Sequence, residues 1–217
     1  MSPIVIYTAI FGPKGELHEP LHPDPRLDYV CFTDRTDLRS EVFEVRVVQT
    51  QFSDPRKAAK VYKILPHRFL SHAHSLWIDG SIQLTALDPS GWLLAEATRS
   101  SFTIYKNHER ATLAEELAWC HQHGKGDPIR TTAQVARYKE QGLPDDVALV
   151  KNGVIFRASH DPAVVAFNEA WWKEITATSL RDELSFPYLA WKREFPYTFF
   201  QPSDIYANPS VQIMRSM

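Results

Sequence analysis

Three apolar residues run straight into an acid, a glycine and a hydroxyl at Leu76-Trp77-Ile78-Asp79-Gly80-Ser81. An uninterrupted apolar run of this kind predicts a strand buried on both faces, as in a sheet covered by helices. The acid stands where the strand leaves the sheet. The glycine allows a sharp turn or the close approach of a ligand. Ligands in open α/β sheets gather outside the carboxyl ends of strands. An Asp there, followed two residues on by a second oxygen donor, can hold a hard cation against a diphosphate. A solvated turn acid has the same local sequence, so the choice falls to the rest of the chain.

Runs rich in β-branched residues predict strands at Ile4–Ile10, Leu27–Thr33, Val42–Val48, His74–Asp79, Ile82–Leu84, Ser101–Tyr105 and Val154–Phe156. Asp54-Pro55, Asp88-Pro89, Asp127-Pro128 and Asp161-Pro162 each read as a capping acid followed by proline in a first helical turn. Thr112 and Ser179 open two further helices. The helix from Asp54 is expected to reach about Leu70, with Ala58, Val61, Tyr62, Leu65 and Phe69 as its apolar stripe. Trp171 and Trp172 are adjacent on a helix and cannot both face the core. The tail from Phe195 is expected to pack irregularly. Strand–helix alternation implies an α/β fold, a mixed and mostly parallel central sheet flanked by helices. No linker composition interrupts the 217 residues, so a single domain over 1–217 is expected.

A formal charge of −2 gives no basic face for duplex nucleic acid, though a local cluster would still serve a nucleotide. Cys31 and Cys120 are too few for a disulfide framework or a zinc site and read as buried thiols. No apolar run approaches ~18 residues, so no transmembrane segment is expected. Met1 to Phe11 lacks a basic n-region and reads as a strand rather than a signal peptide, which makes a cytoplasmic protein the expectation. The G-x-x-x-x-G-K-[ST], G-x-G-x-x-G and G-x-S-x-G patterns are all missing, so the P-loop, dinucleotide and α/β-hydrolase readings lose their signatures.

The strand ends offer Thr8, Asp34, Asp79 and His160. An acid closing the second strand reads a ribose or base in many doubly wound sheets, and equally serves as a turn or cap acid. Arg56, Lys60, Lys63 and His67 fall on one helical face at about 100° per residue. Four basic groups in line suit a polyphosphate; a solvated helix face has the same pattern. A base reader, a cation ligand and cationic neutralisers make the inventory of a nucleotide-diphosphate site, and a nucleotide-sugar glycosyltransferase of the GT-A type is the enzyme class left standing.

Longer matches support that class. Tyr7-Thr8-Ala9-Ile10-Phe11-Gly12, Cys31-Phe32-Thr33-Asp34, Lys63-Ile64-Leu65-Pro66-His67 and Trp77-Ile78-Asp79-Gly80-Ser81 are followed by Lys106-Asn107-His108-Glu109-Arg110, by Gln134 through Tyr138 to Gly142-Leu143-Pro144, and by Arg181-Asp182-Glu183-Leu184-Ser185-Phe186. In this order and spacing, across residues 4 to 193, the chain resembles the glycosyltransferase-like domain family of bacterial and plant proteins typified by the mucilage-related hexosyltransferase-like proteins.

The resemblance implies a GT-A fold that moves a hexose from a nucleotide-diphosphate sugar to an acceptor, with polysaccharide, lipid, protein and modified nucleic acid all open. It implies Thr8 and Asp34 at the nucleoside, and Lys63 and His67 at the diphosphate. Asp79, with Gly80 and Ser81, would hold a divalent cation (Mn²⁺ or Mg²⁺) or the donor ribose. His108 and Arg110 would stand beside the donor sugar or diphosphate, and His160 would be a second metal ligand. Asp182 would be the carboxylate at the anomeric carbon, a base in an inverting enzyme or a stabiliser of positive charge in a retaining one. The chain departs from the family pattern in three places. Ser81 replaces the second acid of the turn, Glu183 stands where the family has Gln, and the loop after Gly12 lacks Tyr-Asp. A metal-dependent hydrolase and a catalytically silent sugar-nucleotide binder are the rival readings.

Overall fold

The protein is described by a computed structural model that covers residues 3–13 and 15–214. In chain order its elements are β1 (Ile4–Ile10), β2 (Asp28–Thr33), β3 (Glu44–Val47), α1 (Pro55–Ile64), β4 (His74–Ile78), β5 (Ile82–Leu84), α2 (Pro89–Arg99), β6 (Phe102–Lys106), α3 (Leu113–Gln122), α4 (Pro128–Glu140), β7 (Val150–Ala158), α5 (Pro162–Ala177), α6 (Asp182–Lys192), β8 (Thr198–Phe199) and β9 (Val211–Ile213). Seven strands form one sheet in the order β3-β2-β1-β4-β7-β6-β8. The β1–β2, β2–β3, β1–β4 and β6–β8 pairs are parallel, and β7 runs antiparallel to both neighbours. This is the mixed, mostly parallel sheet expected. From β1 the chain steps outward to β2 and β3, then returns to β4 on the other side of β1. The order therefore reverses between β1 and β4, and such a switch point leaves a crevice at the carboxyl ends of the two strands.

The helix starts follow the Asp-Pro dipeptides. Asp54 accepts from the Arg56 N–H at 2.9 Å, Asp127 from Ile129 at 2.9 Å, and Asp161 from Ala163 at 2.9 Å. Asp88 takes the Gly91 N–H at 3.2 Å, and Thr112 forms a reciprocal capping box with Glu115. Each such cap contributes about 1 kcal/mol. Four boundaries differ from the sequence reading. α1 stops at Ile64, and a short 3-10 turn over Pro66–Arg68 follows. Pro66 has no N–H for the Tyr62 carbonyl and its ring clashes with the preceding turn, so the helix cannot continue to Leu70. The last helix begins at Asp182 rather than at Ser179, whose hydroxyl instead donates to Gln134 Oε1 at 2.5 Å. β7 is nine residues long, not three. The tail supplies two short strands, β8 on β6 and β9 antiparallel to β5.

Side-chain alternation divides the core between the two sheet faces. Tyr7, Trp77, Ile104 and Ile155 pack with Ala58 and Tyr62 of α1, Phe167 and Trp171 of α5, and Phe186 of α6. On the opposite face Ile6, Leu76, Ile78 and Phe156 pack with Leu93 of α2, Phe200 and Val211. Both cysteines are buried free thiols, and burial pushes Cys31 up to about 12 and Cys120 up to about 11. Among the described residues no helix is long and apolar enough to cross a membrane.

The two adjacent tryptophans divide as helical geometry requires. Trp171 is fully buried and donates its indole N–H to Ser185 Oγ at 2.9 Å, while Trp172 is half-buried against Phe52. Trp171→Ala is expected to cost ~3–5 kcal/mol in urea unfolding, the scale for emptying a buried aromatic site. Trp172→Ala should cost about 1 kcal/mol, the centre of the distribution for ordinary substitutions. Equal losses would contradict this division of the pair.

Candidate functional site

A cavity of about 600 Å³ opens at the carboxyl ends of β1 and β4. Its walls come from α1, the Asp79-Gly80 turn, the loop between α3 and α4, Asn152 on β7, and the start of α6. Lys60 and Lys63 stand one turn apart on α1 and so share a face. Lys63 Nζ lies 3.0 Å from Asp79 Oδ1 and 2.9 Å from Asp182 Oδ2, while Lys60 Nζ lies 2.7 Å from Asp182 Oδ1. The Trp77 indole N–H donates to Asp79 Oδ1 at 2.7 Å. One ammonium thus bridges the carboxylate closing β4 and the carboxylate opening α6.

These groups set one another's charge states. Burial acts to lower Lys63, but Asp182 and Asp79 outweigh it and hold the amine above its usual range. Burial prevails at Lys60, which is lowered despite Asp182, with Lys63 adding to the effect. Burial acts to raise Asp182, yet Lys60, Lys63 and Arg181 hold it well below the ordinary carboxylate range. The neighbouring Glu183 moves the other way. Burial raises it, Arg181 opposes, and Asp182 and Glu116 add to the rise.

Support for Lys63 comes from behind. Arg157, fully buried on β7, donates to the Lys63 carbonyl at 2.6 Å, and the Tyr7 hydroxyl donates to the same oxygen at 3.3 Å. A carbonyl in the last turn of a helix has no partner within the helix; here a core arginine and tyrosine supply two. The guanidinium also lies over Phe102, 5.4 Å from the ring centroid. On the open side, Gly124 and Gly126 take positive φ of 61° and 94° and carry Lys125 between them. Lys125 and Arg130 are exposed at the cavity and enter no ion pair among the described residues. Arg181 pairs with Glu183 and reaches Glu116 at 3.3 Å. Glu116 in turn holds Arg110 at 2.5 Å, beside a second cavity of about 440 Å³.

Of the residues singled out from sequence, Arg56, Lys60, Lys63, Asp79, Gly80 and Asp182 meet at the main cavity. The others do not. Thr8 is buried two residues short of the end of β1, and its neighbour Ala9 lines the wall instead. Asp34 is exposed and accepts the Gly12 N–H at 2.9 Å, stapling the loop after β1. His67 lies past the Pro66 break and contacts Glu169 at 2.8 Å. Ser81 turns outward, with its carbonyl accepting from the Met214 N–H at 2.7 Å. His108 and Arg110 line the second cavity.

His160 is displaced furthest. Because β7 is antiparallel to β4, His74 pairs with Ala158 and Ile78 with Val154, so His160 sits at the sheet edge opposite Asp79. It cannot share a cation with that residue. Among the described residues no three His, Cys, Asp or Glu groups converge on a metal position, and Asp79 Oδ1 already serves Lys63 and Trp77. Sequence reading missed Asn152, Lys125 and Arg130. Two glycines flanking a lysine just before Asp127-Pro128 were a visible sign of the last two.

Residues 41–205 match the family model for the TOD1/MUCI70, glycosyltransferase-like domain. A curated relative, the probable hexosyltransferase MUCI70 of Arabidopsis thaliana, is 33% identical in an alignment covering 84% of this chain and 36% of the relative. The chain therefore spans about a third of the length of that protein. The seven-stranded mixed sheet with its β1/β4 switch point agrees with the GT-A-like fold of such domains.

Lys63→Met removes the bridge, leaving Asp79 without its cation and Asp182 with Lys60 alone, and should cost ~3–5 kcal/mol in denaturant unfolding. Adding Asp182→Asn to that background should return part of the loss. The folded-state value of Asp182 lies below its unfolded value of about 3.9. Its stabilisation is therefore complete above the unfolded value and is lost as pH falls through the folded one. The pH dependence of unfolding should flatten on that acid limb in Asp182→Asn. An unchanged acid limb would show that Asp182 is not held by the two lysines.

Proposed function

The chain belongs to the TOD1/MUCI70 glycosyltransferase-like domain family, and from that premise we propose that it transfers a hexose from a nucleotide-diphosphate sugar to an acceptor hydroxyl in the main cavity. The observation that carries this reading is the convergence of Lys60, Lys63, Asp79 and Asp182 at the β1/β4 switch point, with Lys125 and Arg130 facing the same space. A departing nucleoside diphosphate gathers negative charge, and fixed cations in a partly dry site stabilise that charge without reorganising. In this reading the nucleoside lies toward Ala9 and Arg56, the diphosphate over the lysines, and the sugar toward Glu183 and Asn152.

The step itself is a substitution. The acceptor oxygen bonds to the anomeric carbon as the bond from that carbon to the diphosphate oxygen breaks. The diphosphate leaves with the electron pair, and the acceptor proton passes to a carboxylate. Asp182 suits an anchoring role better than a basic one, because both of its oxygens lie within ion-pair distance of ammonium groups. Glu183 suits the base. It lines the cavity, only one of its oxygens is paired with Arg181, and its environment raises its basicity. In this reading the positive charge that meets the diphosphate is that of the chain's own lysines. The acceptor class stays with the four named from sequence.

Nucleoside diphosphates titrated by calorimetry in EDTA should bind, and Lys60→Ala should weaken them by ~1.5–3 kcal/mol, the value of one charge-assisted hydrogen bond. Glu183→Gln should leave donor affinity unchanged and lower transfer by ~10²-fold or more. No binding of any nucleoside diphosphate, with EDTA or with Mn²⁺, would overturn the reading. Binding seen only with Mn²⁺ would return the charge-neutralising role to a cation. Release of free hexose at one rate with or without acceptors would favour a hydrolase.

A further inference from the structure

Asn152 is 1% exposed, and neither its amide nitrogen nor its amide oxygen has a hydrogen-bond partner among the described residues. A primary amide carries two donors and an acceptor oxygen with two lone pairs, and burying it unmatched is costly. The residue sits in a distorted part of β7. On one side Ile104 of β6 opposes Ile155, but the next residue, Tyr105, opposes Lys151. Residues 152–154 thus have no counterpart on β6, an irregularity of the kind that re-aims side chains beside active sites. On the other side the Asp79 N–H donates to the Gly153 carbonyl at 2.8 Å, which fixes this stretch against the turn closing β4. Val150 packs on the face covered by α1 and α6 and Val154 on the opposite one, so the alternation breaks between them, and Asn152 keeps to the side of Val150. That is the face of the cavity, which Asn152 lines. Asn168 on α5 is also buried without partners but lines neither cavity.

We propose that Asn152 binds the transferred sugar, its amide pairing with two neighbouring hydroxyls of the pyranose. The inference rests on the donor reading given above and specifies its sugar end. The sheet order sets β1 on one side of β4 and β7 on the other. A diphosphate over Lys60 and Lys63 with its nucleoside toward β1 carries its sugar toward β7. The chemistry selects the group: a vicinal diol can donate to Oδ1 with one hydroxyl and accept from Nδ2 with the next. A phosphate has no proton for Oδ1, and an apolar group would leave the amide as it is.

The test titrates the wild type and Asn152→Leu with UDP, GDP and ADP and with their hexose conjugates, alongside thermal unfolding of the ligand-free proteins. For the nucleotide that binds, the free diphosphate should keep its affinity in the variant, and the conjugate should lose about tenfold, the scale of one or two hydrogen bonds. The ligand-free variant should melt about 2–4 °C higher, since an unmatched amide has been replaced by an apolar group of similar size. If Asn152→Leu fails to fold, Asn152→Ser is read in the same titration. Equal affinity of wild type and variant for the conjugate overturns the proposal and leaves the donor reading standing. Parallel loss of diphosphate and conjugate, or a lowered melting temperature, also overturns it, because either result makes Asn152 structural. A wild type that binds no nucleoside diphosphate overturns the donor reading, and the proposal with it.

Discussion

The Lys63 ammonium sits between two acids that belong to different parts of the chain, Asp79 at the end of β4 and Asp182 at the start of α6. Remove it, and Asp79 loses its cation while Asp182 keeps only Lys60. With it, three elements are held in register: α1 by its own backbone, β4 through its closing turn, and α6 through its first residue. The arrangement tolerates burial because no charge lacks an opposite, and Lys60 on the same face balances the second oxygen of Asp182. A buried ion pair is a poor source of stability compared with apolar packing. Its value here is placement, because it fixes where the cationic edge of the cavity lies.

Arg157 carries the same logic one layer deeper. A guanidinium fully buried in the sheet, with no carboxylate partner among the described residues, is expensive, and desolvation lowers its pKa. What it does is take the carbonyl of Lys63. The cost of burying Arg157 secures the backbone of the residue whose side chain bridges Asp79 and Asp182. Rigid elements hold a site more closely than loops, provided their own supports are locked.

Much of this was legible in the sequence, and the unread parts share a cause. The Asp-Pro starts, the buried run ending at Asp79 and the pairing of Lys60 with Lys63 on one helix face are local patterns, and local patterns follow from periodicity and capping. His67 apart, the misplaced residues depend on where a distant segment lies. Nothing near Val154 or His160 states that β7 runs against β4, yet that direction alone sends His160 to the opposite edge. His67 was placed on a helix that Pro66 ends, a break the proline itself announced. Asp34 closes β2 as read and accepts the Gly12 N–H, outside the lining of the main cavity. Asn152 carries no motif. It becomes visible only when its amide is seen to be buried and unmatched.

The closing turn of β4 has one more restraint. β9 pairs with β5 immediately after the Asp-Gly-Ser turn, and the Met214 N–H reaches the Ser81 carbonyl. Residues near Asp79 in space therefore arrive over most of the chain's length: Lys63 before it, Gly153 and Asp182 long after, and the strand around Gln212 later still. Contacts between segments so far apart in sequence form slowly and late in folding, because the intervening loop must close first. During synthesis the cavity would exist as separate halves until the chain has been made past Glu183, the last residue of its wall, and the turn that carries Asp79 would gain its β9 restraint only after residue 211.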